Sequence, residues 1–244
     1  MLDSKYSISH SVLPSECDAS GRISYPDVFK LFMDIASLHA EDLQVGSSYS
    51  RQYNRFWLTV RSRVRFLKRP YLLQAGEVAT RIQPSRDKRC DREYTLCVNG
   101  RTCAYGVTEW AMMDLNTRQL VDLSNVYPEG LDCNYEPYFS DGYHEFSEEF
   151  NEEYQEYTVR STDIDFGGHM NNIAYVRMIF SLYSVRDIVS LPISEIETVY
   201  PSSALENEVL KIHTLIKEGE ILHKAVRPNG KTAFLMRILL TEKQ

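Results

Sequence analysis

The sequence predicts an α+β chain built from two copies of one helix-then-sheet unit. Three observations predict it: an internal repeat, a helical period opening each copy, and period-two runs punctuated by Asn-Gly turns. Residues 18–33 lie on residues 165–180 without a gap, an offset of 147 from Asp18 to Asp165. Gly21 meets Gly168 and Lys30 meets Arg177, with apolar residues in step beyond. Asn99-Gly100-Arg101-Thr102 then matches Asn229-Gly230-Lys231-Thr232, an offset of 130, each followed by an apolar run. Two correspondences in the same order indicate a duplicated domain.

The first copy opens with Val28, Phe29, Leu31, Phe32, Ile35 and Leu38 at helical spacing. Ser24, with Pro26 and Asp27 behind it, marks the helix start. The second copy runs apolar nearly all round from Ile173 to Val189, which predicts one long buried helix. Helices are therefore expected near 26–43 and 172–189. After the first helix, Phe56, Leu58, Val60, Val64 and Phe66 alternate with Trp57, Thr59, Arg61, Arg63 and Arg65, as on a half-buried strand. Val78–Ile82, Glu93–Val98, Ala104–Met113, Val209–Ile216, Ile221–Val226 and Ala233–Leu240 are further strands. Both Asn-Gly pairs predict type I′ hairpin turns, which need positive φ at both positions. Residues 1–128 and 154–244 are the expected domains. Between them, 129–153 is polar and acidic and predicts a linker.

Composition excludes several classes. A hydrophobic fraction of 43% and a charged fraction of 25% are those of a globular protein with a real core. No apolar run is long enough for a membrane span, and the first residues lack the pattern of a secretion signal. The five cysteines, Cys17, Cys90, Cys97, Cys103 and Cys133, form no C-x-x-C pair and predict reduced thiols in a cytoplasmic protein. His39, His213 and His223 have no acid or cysteine at ligand spacing, so no metal and no cofactor are expected. The net charge of −7 argues against nucleic-acid binding. Residues 51–101, however, hold 13 basic residues to 4 acidic, and a solvated strand face and an acidic partner both remain open for them. Trp110, Met112 and Met113 are expected in the core. Phe29, Phe32 and Met33 are core residues too, some of them open to lining an apolar tunnel.

The sharpest local signal is Thr162 to Tyr175. An acid, two glycines, a histidine and two asparagines stand just ahead of a buried helix. Gly167 and Gly168 permit close backbone approach to a ligand, and N–H groups at a helix start can hold an anion or a polarised carbonyl oxygen. Asp165 is the candidate base or nucleophile. His169 is placed to orient a carbonyl or a water, with Asn171 and Asn172 beside it. An N-cap role for Asp165, and turn-closing bonds for His169 and Asn171, stand as the structural alternatives. Copy one has Arg22, Ser24 and Tyr25 where copy two has His169, Asn171 and Asn172, so only copy two carries the polar set.

Asp163-Ile-Asp-Phe-Gly-Gly-His-Met-Asn-Asn-Ile-Ala-Tyr175 resembles the D-x-D-x-x-x-H-x-N-N-x-x-Y motif of hot-dog thioesterases. Trp57 to Val64, Arg69-Pro-Tyr71, Arg92-Glu-Tyr94 and Glu109 to Leu120 are similar to the first domain of acyl-acyl-carrier-protein thioesterases. The resemblance spans about residues 5–240. It implies a tandem hot-dog fold, each half a long helix wrapped by an antiparallel sheet. It also implies an acyl-chain pocket in the first domain and hydrolysis of fatty acyl thioesters by the second. Asp165, His169 and Asn171 would be catalytic; Gly167, Gly168 and Asn172 would bind substrate. The partner implied is the acidic acyl carrier protein; for Arg61, Arg63 and Arg65 a docking patch for it and a solvated or domain-facing polar surface both stay open. A homodimer stays open. The chain departs from the family pattern at Gly167, where asparagine is usual, and at Ser203-Ala204, where a Glu-Cys pair is usual. All five cysteines precede residue 134, which excludes a cysteine nucleophile there and favours Asp165. An acyl-CoA thioesterase of the same fold and a non-hydrolytic acyl-binding protein remain the alternatives.

Overall fold

The computed structural model describes residues 4–241 except 129, 132 and 134. The chain divides into two compact units, Met1–Gly142 and Tyr143–Gln244. The boundary falls inside the expected linker, three of whose residues lie outside the described ones. The rest of that stretch is no free tether. Tyr138 stacks under Arg81 and Phe139 under Arg63 in the first unit, while Glu148 takes Lys217 in the second.

Unit one runs β1 (Lys5–Ser11), α1 (Tyr25–Asp42), α2 (Ser47–Gln52), β2 (Arg55–Phe66), β3 (Ala75–Ile82), β4 (Arg89–Val98), β5 (Arg101–Asp114) and the short β6 (Gln119–Leu120). Its strands pair antiparallel in the order β1-β3-β4-β5-β2, with β6 on β5. Ser24 Oγ accepts from the Asp27 N–H at 3.1 Å, the cap predicted for α1. The helix buries Val28, Phe29, Phe32 and Ile35 almost completely. Phe32 stacks on Tyr94 of β4 with centroids 4.9 Å apart. Gly106 of β5 makes this fit possible, since a Cβ there would come within 3.0 Å of the Phe32 ring. Beyond the end of α1, Leu43, Val45, Ile82, Cys90 and Met112 form one apolar cluster.

Unit two repeats the plan: β7 (Gln155–Thr158), α3 (Asn172–Phe180), α4 (Val185–Ser190), β8 (Ile193–Val199), β9 (Val209–Lys217), β10 (Glu220–Val226) and β11 (Thr232–Leu240). Its antiparallel order is β7-β9-β10-β11-β8, the same as in unit one strand for strand. The α3 helix buries Val176 and Ile179 completely, and its Tyr175 stacks on Phe234 of β11 at 5.1 Å. No helix among the described residues is long and apolar enough to cross a membrane.

Three expectations need correction. The second helix is not continuous: Ser181 to Ser184 interrupt it, and the Ser184–Asp187 capping box starts α4 afresh. The α4 face is exposed, with Val185 at 64% and Val189 at 46%, so the buried helix ends at Phe180. The Asn99-Gly100 turn is type I′, with φ of 51° and 69°, but only Gly230 is positive in the other hairpin. Pro228 fixes φ near −65° and imposes a type I turn, closed by Gly230 N–H to Arg227 O at 2.9 Å. Thirdly, Val60 is a bulge in β2, because Thr59 pairs with Trp110 and Arg61 already with Glu109. Trp57 and Thr59 therefore leave the arginine face: the Trp57 indole bonds the Val45 carbonyl at 2.8 Å.

Below the helix break, Tyr183 Oη lies 2.7 Å from His223 Nε2 and Thr214 Oγ1 lies 3.0 Å from His223 Nδ1. Burial holds this imidazole neutral and lowers its pKa to about 4. The unfolded chain binds that proton near pH 6.5, so the stabilisation is full above about 6.5 and is lost as pH falls toward 4. Acid unfolding should thus begin earlier in the parent than in His223→Gln, with a difference of up to ~3 kcal/mol. Thermal melts of both at pH 7 and pH 5 check this; parallel losses would refute it.

Candidate active site

The loop ahead of α3 is a tight hairpin. Ile164 and Met170 bridge antiparallel, the Asp165 N–H donates to His169 O at 3.0 Å, and the Gly168 N–H donates to Asp165 O at 3.0 Å. Gly168 takes the positive φ, 76°, that follows a type I turn in such a loop. Unit one builds the same loop at the predicted offset. Cys17 and Ile23 bridge, the Asp18 N–H donates to Arg22 O, the Gly21 N–H donates to Asp18 O, and Gly21 has φ 72°. The flanking backbone agrees as well. Ser24 N–H to Glu16 O repeats as Asn171 N–H to Asp163 O. The loop segment arriving from the other side fixes a second register. Ile23 N–H to Pro70 O becomes Met170 N–H to Ala204 O, and Leu73 N–H to Val12 O becomes Asn207 N–H to Val159 O. Ser203 thus stands where unit one has Arg69.

The two loops differ in what closes them. Arg69 pairs with Asp18 and bonds the Ile23 carbonyl at 3.0 Å, its guanidinium 4.2 Å above the Tyr25 ring. Arg22 bonds the Arg69 carbonyl at 2.9 Å and lies over Tyr71. In unit two these arginines are Ser203 and His169. Asp165 is half-buried, and its carboxylate accepts only the Gly167 N–H, at 2.8 Å, with no cation on it among the described residues. The difference shows in Asp18: burial alone would raise its pKa, but the Ser20 hydrogen bond and Arg69 together hold it below the ordinary carboxylate value.

Asp165 is therefore not the helix cap. That role belongs to Asn171, whose Oδ1 accepts from the Ile173 N–H at 2.8 Å. The N–H groups of Gly167 and Gly168 are spent inside the loop on Asp165, so the glycines supply shape rather than donors. His169 is exposed, and among the described residues neither its ring nor its N–H has a hydrogen-bond partner. Asn172 opens α3, and its carbonyl accepts from Tyr200. Asp163, the first acid of the motif, holds the Arg160 N–H and the Tyr157 hydroxyl, a structural role. Sequence reasoning missed Tyr175 as a fastener. Its hydroxyl accepts from the Ala204 N–H at 2.7 Å and ties α3 to the 203–205 segment between β8 and β9, and burial pushes its pKa up to about 12. Among the described residues no cluster of three His, Cys, Asp or Glu side chains could hold a metal.

Arg61, Arg63 and Arg65 share one face of β2 beyond the bulge, but not as an open patch. Arg61 pairs with Glu109 at 3.1 Å. Arg63, 6% exposed, grips Asp141 at 2.8 and 3.0 Å and lies over Phe139. Arg65 bonds the Tyr105 hydroxyl at 3.0 Å. A side chain as enclosed as Arg63 is not accessible to a docking partner. Arg63→Glu should accordingly cost about 3 kcal/mol or more by burying a carboxylate beside Asp141 and the Gly142 carbonyl. Its residual activity should fall equally on carrier-bound and small acyl thioesters. A selective rise in KM for the carrier-bound substrate, at unchanged melting temperature, would restore the docking role.

The family model of the acyl-ACP thioesterase N-terminal domain matches residues 3–130, and that of the C-terminal domain matches residues 146–237. The crystal structure of an acyl-ACP thioesterase from Bacteroides thetaiotaomicron aligns with a TM-score of 0.82 at 20% identity, covering 98% of both chains. The 12:0-ACP thioesterase from Umbellularia californica aligns with a TM-score of 0.81 at 16% identity, again over 98% of both. No curated protein matches the chain. At these identities the structural likeness establishes the double hot-dog fold, and the two family models lie one on each helix-and-sheet unit.

Proposed function

The chain belongs to the acyl-ACP thioesterase family, a family of thioester hydrolases, and on that premise we propose that the Asp165 loop of unit two is its reaction centre. One observation carries the reading. Of two loops with the same backbone, only that of unit two leaves its acid without a cation among the described residues. Asp165 takes a proton from a water as the water oxygen attacks the thioester carbonyl carbon. The tetrahedral intermediate collapses with release of the thiolate, which leaves as the carrier's thiol once the proton is returned. The products are a free fatty acid and the carrier. The exposed His169 polarises the carbonyl oxygen. The amide nitrogen of Asn171, oriented by the cap its oxygen makes, donates beside it. Each such group is typically worth about 10²–10⁴-fold in rate. Gly167 and Gly168 keep the loop tip small enough for the thioester to approach.

A panel of acyl-carrier thioesters of graded chain length, assayed for thiol release, tests the function. CoA thioesters run beside them separate carrier-directed from CoA-directed hydrolysis. Absence of release at every length would refute the reading in favour of acyl binding without hydrolysis. The chemistry also needs no thiol, since unit two contains no cysteine and Ala204 holds the place of the family's. Alkylation of the folded enzyme should leave hydrolysis largely intact, measured as kcat before and after the reagent. A loss with the fold preserved would require a cysteine in the chemistry.

A further inference from the structure

Hydrogen-bond register makes Arg69 and Ser203 counterparts, and this equivalence says more about the site than either loop alone. In unit one the Arg69 side chain, 9% exposed, fills a seat bounded by Asp18, the Ile23 carbonyl and the Tyr25 ring. The corresponding walls in unit two are Asp165, the Met170 carbonyl and Asn172. Arginine carries a planar guanidinium on a three-carbon stem where serine ends in a hydroxyl. The difference is about the size of a thioester group with one water. The neighbouring loop segment opens in the same place. The Leu72 N–H bonds Gly21 O at 2.9 Å in unit one, whereas no such bond joins Glu206 to Gly168 among the described residues. Ser203 itself is exposed, as are Gly168 and His169, so the seat is reached from solvent.

We propose that the seat filled by Arg69 in the first unit holds the thioester group in the second, and that the short side chain of Ser203 keeps it open. The first unit is then a copy of the site permanently closed by its own arginine. This rests on the reading of Asp165 as the reacting acid. It adds a steric determinant that the acid does not itself require.

Ser203→Arg in the full chain tests it. The introduced guanidinium should enter the seat, pair with Asp165 and lower kcat on an acyl-carrier thioester at least about 10²-fold, the scale of losing a positioned acid. The melting temperature should hold or rise, and that effect should vanish in Ser203→Arg/Asp165→Asn, as a double-mutant cycle reads directly. Should arginine disturb folding, Ser203→Lys brings a smaller cation to the same seat, should pair with Asp165 and should lower kcat by a smaller factor. Glu218→Arg, on the exposed β9–β10 turn, places an arginine and at least as much added positive charge elsewhere, and should turn over at the parent rate. A parent-like rate in Ser203→Arg beside an inactive Asp165→Asn overturns this inference and leaves the role of Asp165 standing. A slow Ser203→Arg with no stability coupling to Asp165 also overturns it. Parent-like rates in both overturn both.

Discussion

Asp165→Asn is expected to lower kcat by at least about 10²-fold, the usual scale for a positioned acid–base group, with the melting temperature almost unchanged. The substitution keeps the size of the side chain and its Oδ1, so the Gly167 N–H retains its acceptor. No cation is orphaned, because none sits on Asp165 among the described residues, and the helix keeps its cap because the cap is Asn171. What disappears is the negative charge that draws a proton from water. Steady-state rates of thiol release, beside thermal melts, separate chemistry from folding. KM should move little, since the acid acts in the transition state rather than on the bound acyl chain. A variant that turns over acyl-carrier thioesters as the parent does would remove this loop from the chemistry.

Much of this architecture is legible in the sequence, and what is not has identifiable causes. The offset of 147 between Asp18 and Asp165 reappears in the backbone bonds of both loops, because a hairpin of this length leaves its hydrogen bonds little choice. The strands with strong period-two patterning were found. Those with polar or acidic sequences were not: Lys5–Ser11 carries Ile8 as its one aliphatic residue among serines, Tyr6 and His10, and Ile193–Val199 buries Glu195 and Glu197 at 2% and 3%. Buried acids in a strand depend on partners that a window of neighbours does not reveal. The Arg61–Arg63–Arg65 stripe was correct as a stripe, but its upstream continuation failed at Val60. A bulge there reverses which side chains face the core. The second helix failed for a local reason, since Ser184 and Asp187 form a capping box inside an apolar run. Within the site, the acid, glycines, histidine and asparagines were visible from composition and spacing. The opposing segment, Ser203-Ala204, was reached only through the family resemblance, because Arg69–Asp18 and Tyr175–Ala204 join residues far apart in the chain.

Asp18→Asn, the matching substitution in unit one, should have the opposite profile: kcat near that of the parent and a large loss of stability. Asp18 and Arg69 have side chains only 10% and 9% exposed, so the variant leaves a buried guanidinium facing a neutral amide. Breaking one side of such a pair costs about 3 kcal/mol or more. The Ile23 carbonyl and the Tyr25 face remain for Arg69 and keep the loss toward the lower end. For a chain of this length that is a fall in melting temperature of roughly 10 °C. The pH dependence has a definite sign. The folded-state pKa of Asp18 is depressed, so its stabilisation is fully present above the ordinary carboxylate value near ~4 and is lost as pH falls through the lower folded value. The gap between parent and variant should therefore be constant at neutral pH and narrow below about pH 4. Arg69→Ala should be destabilised on a similar scale, and the double variant should be less impaired than the sum of the two, since the pair fails as a unit. Equal melting temperatures for parent and Asp18→Asn at pH 7 would show that Arg69 does not hold this acid. The contrast between a locked loop in unit one and an open one in unit two would then lose its basis.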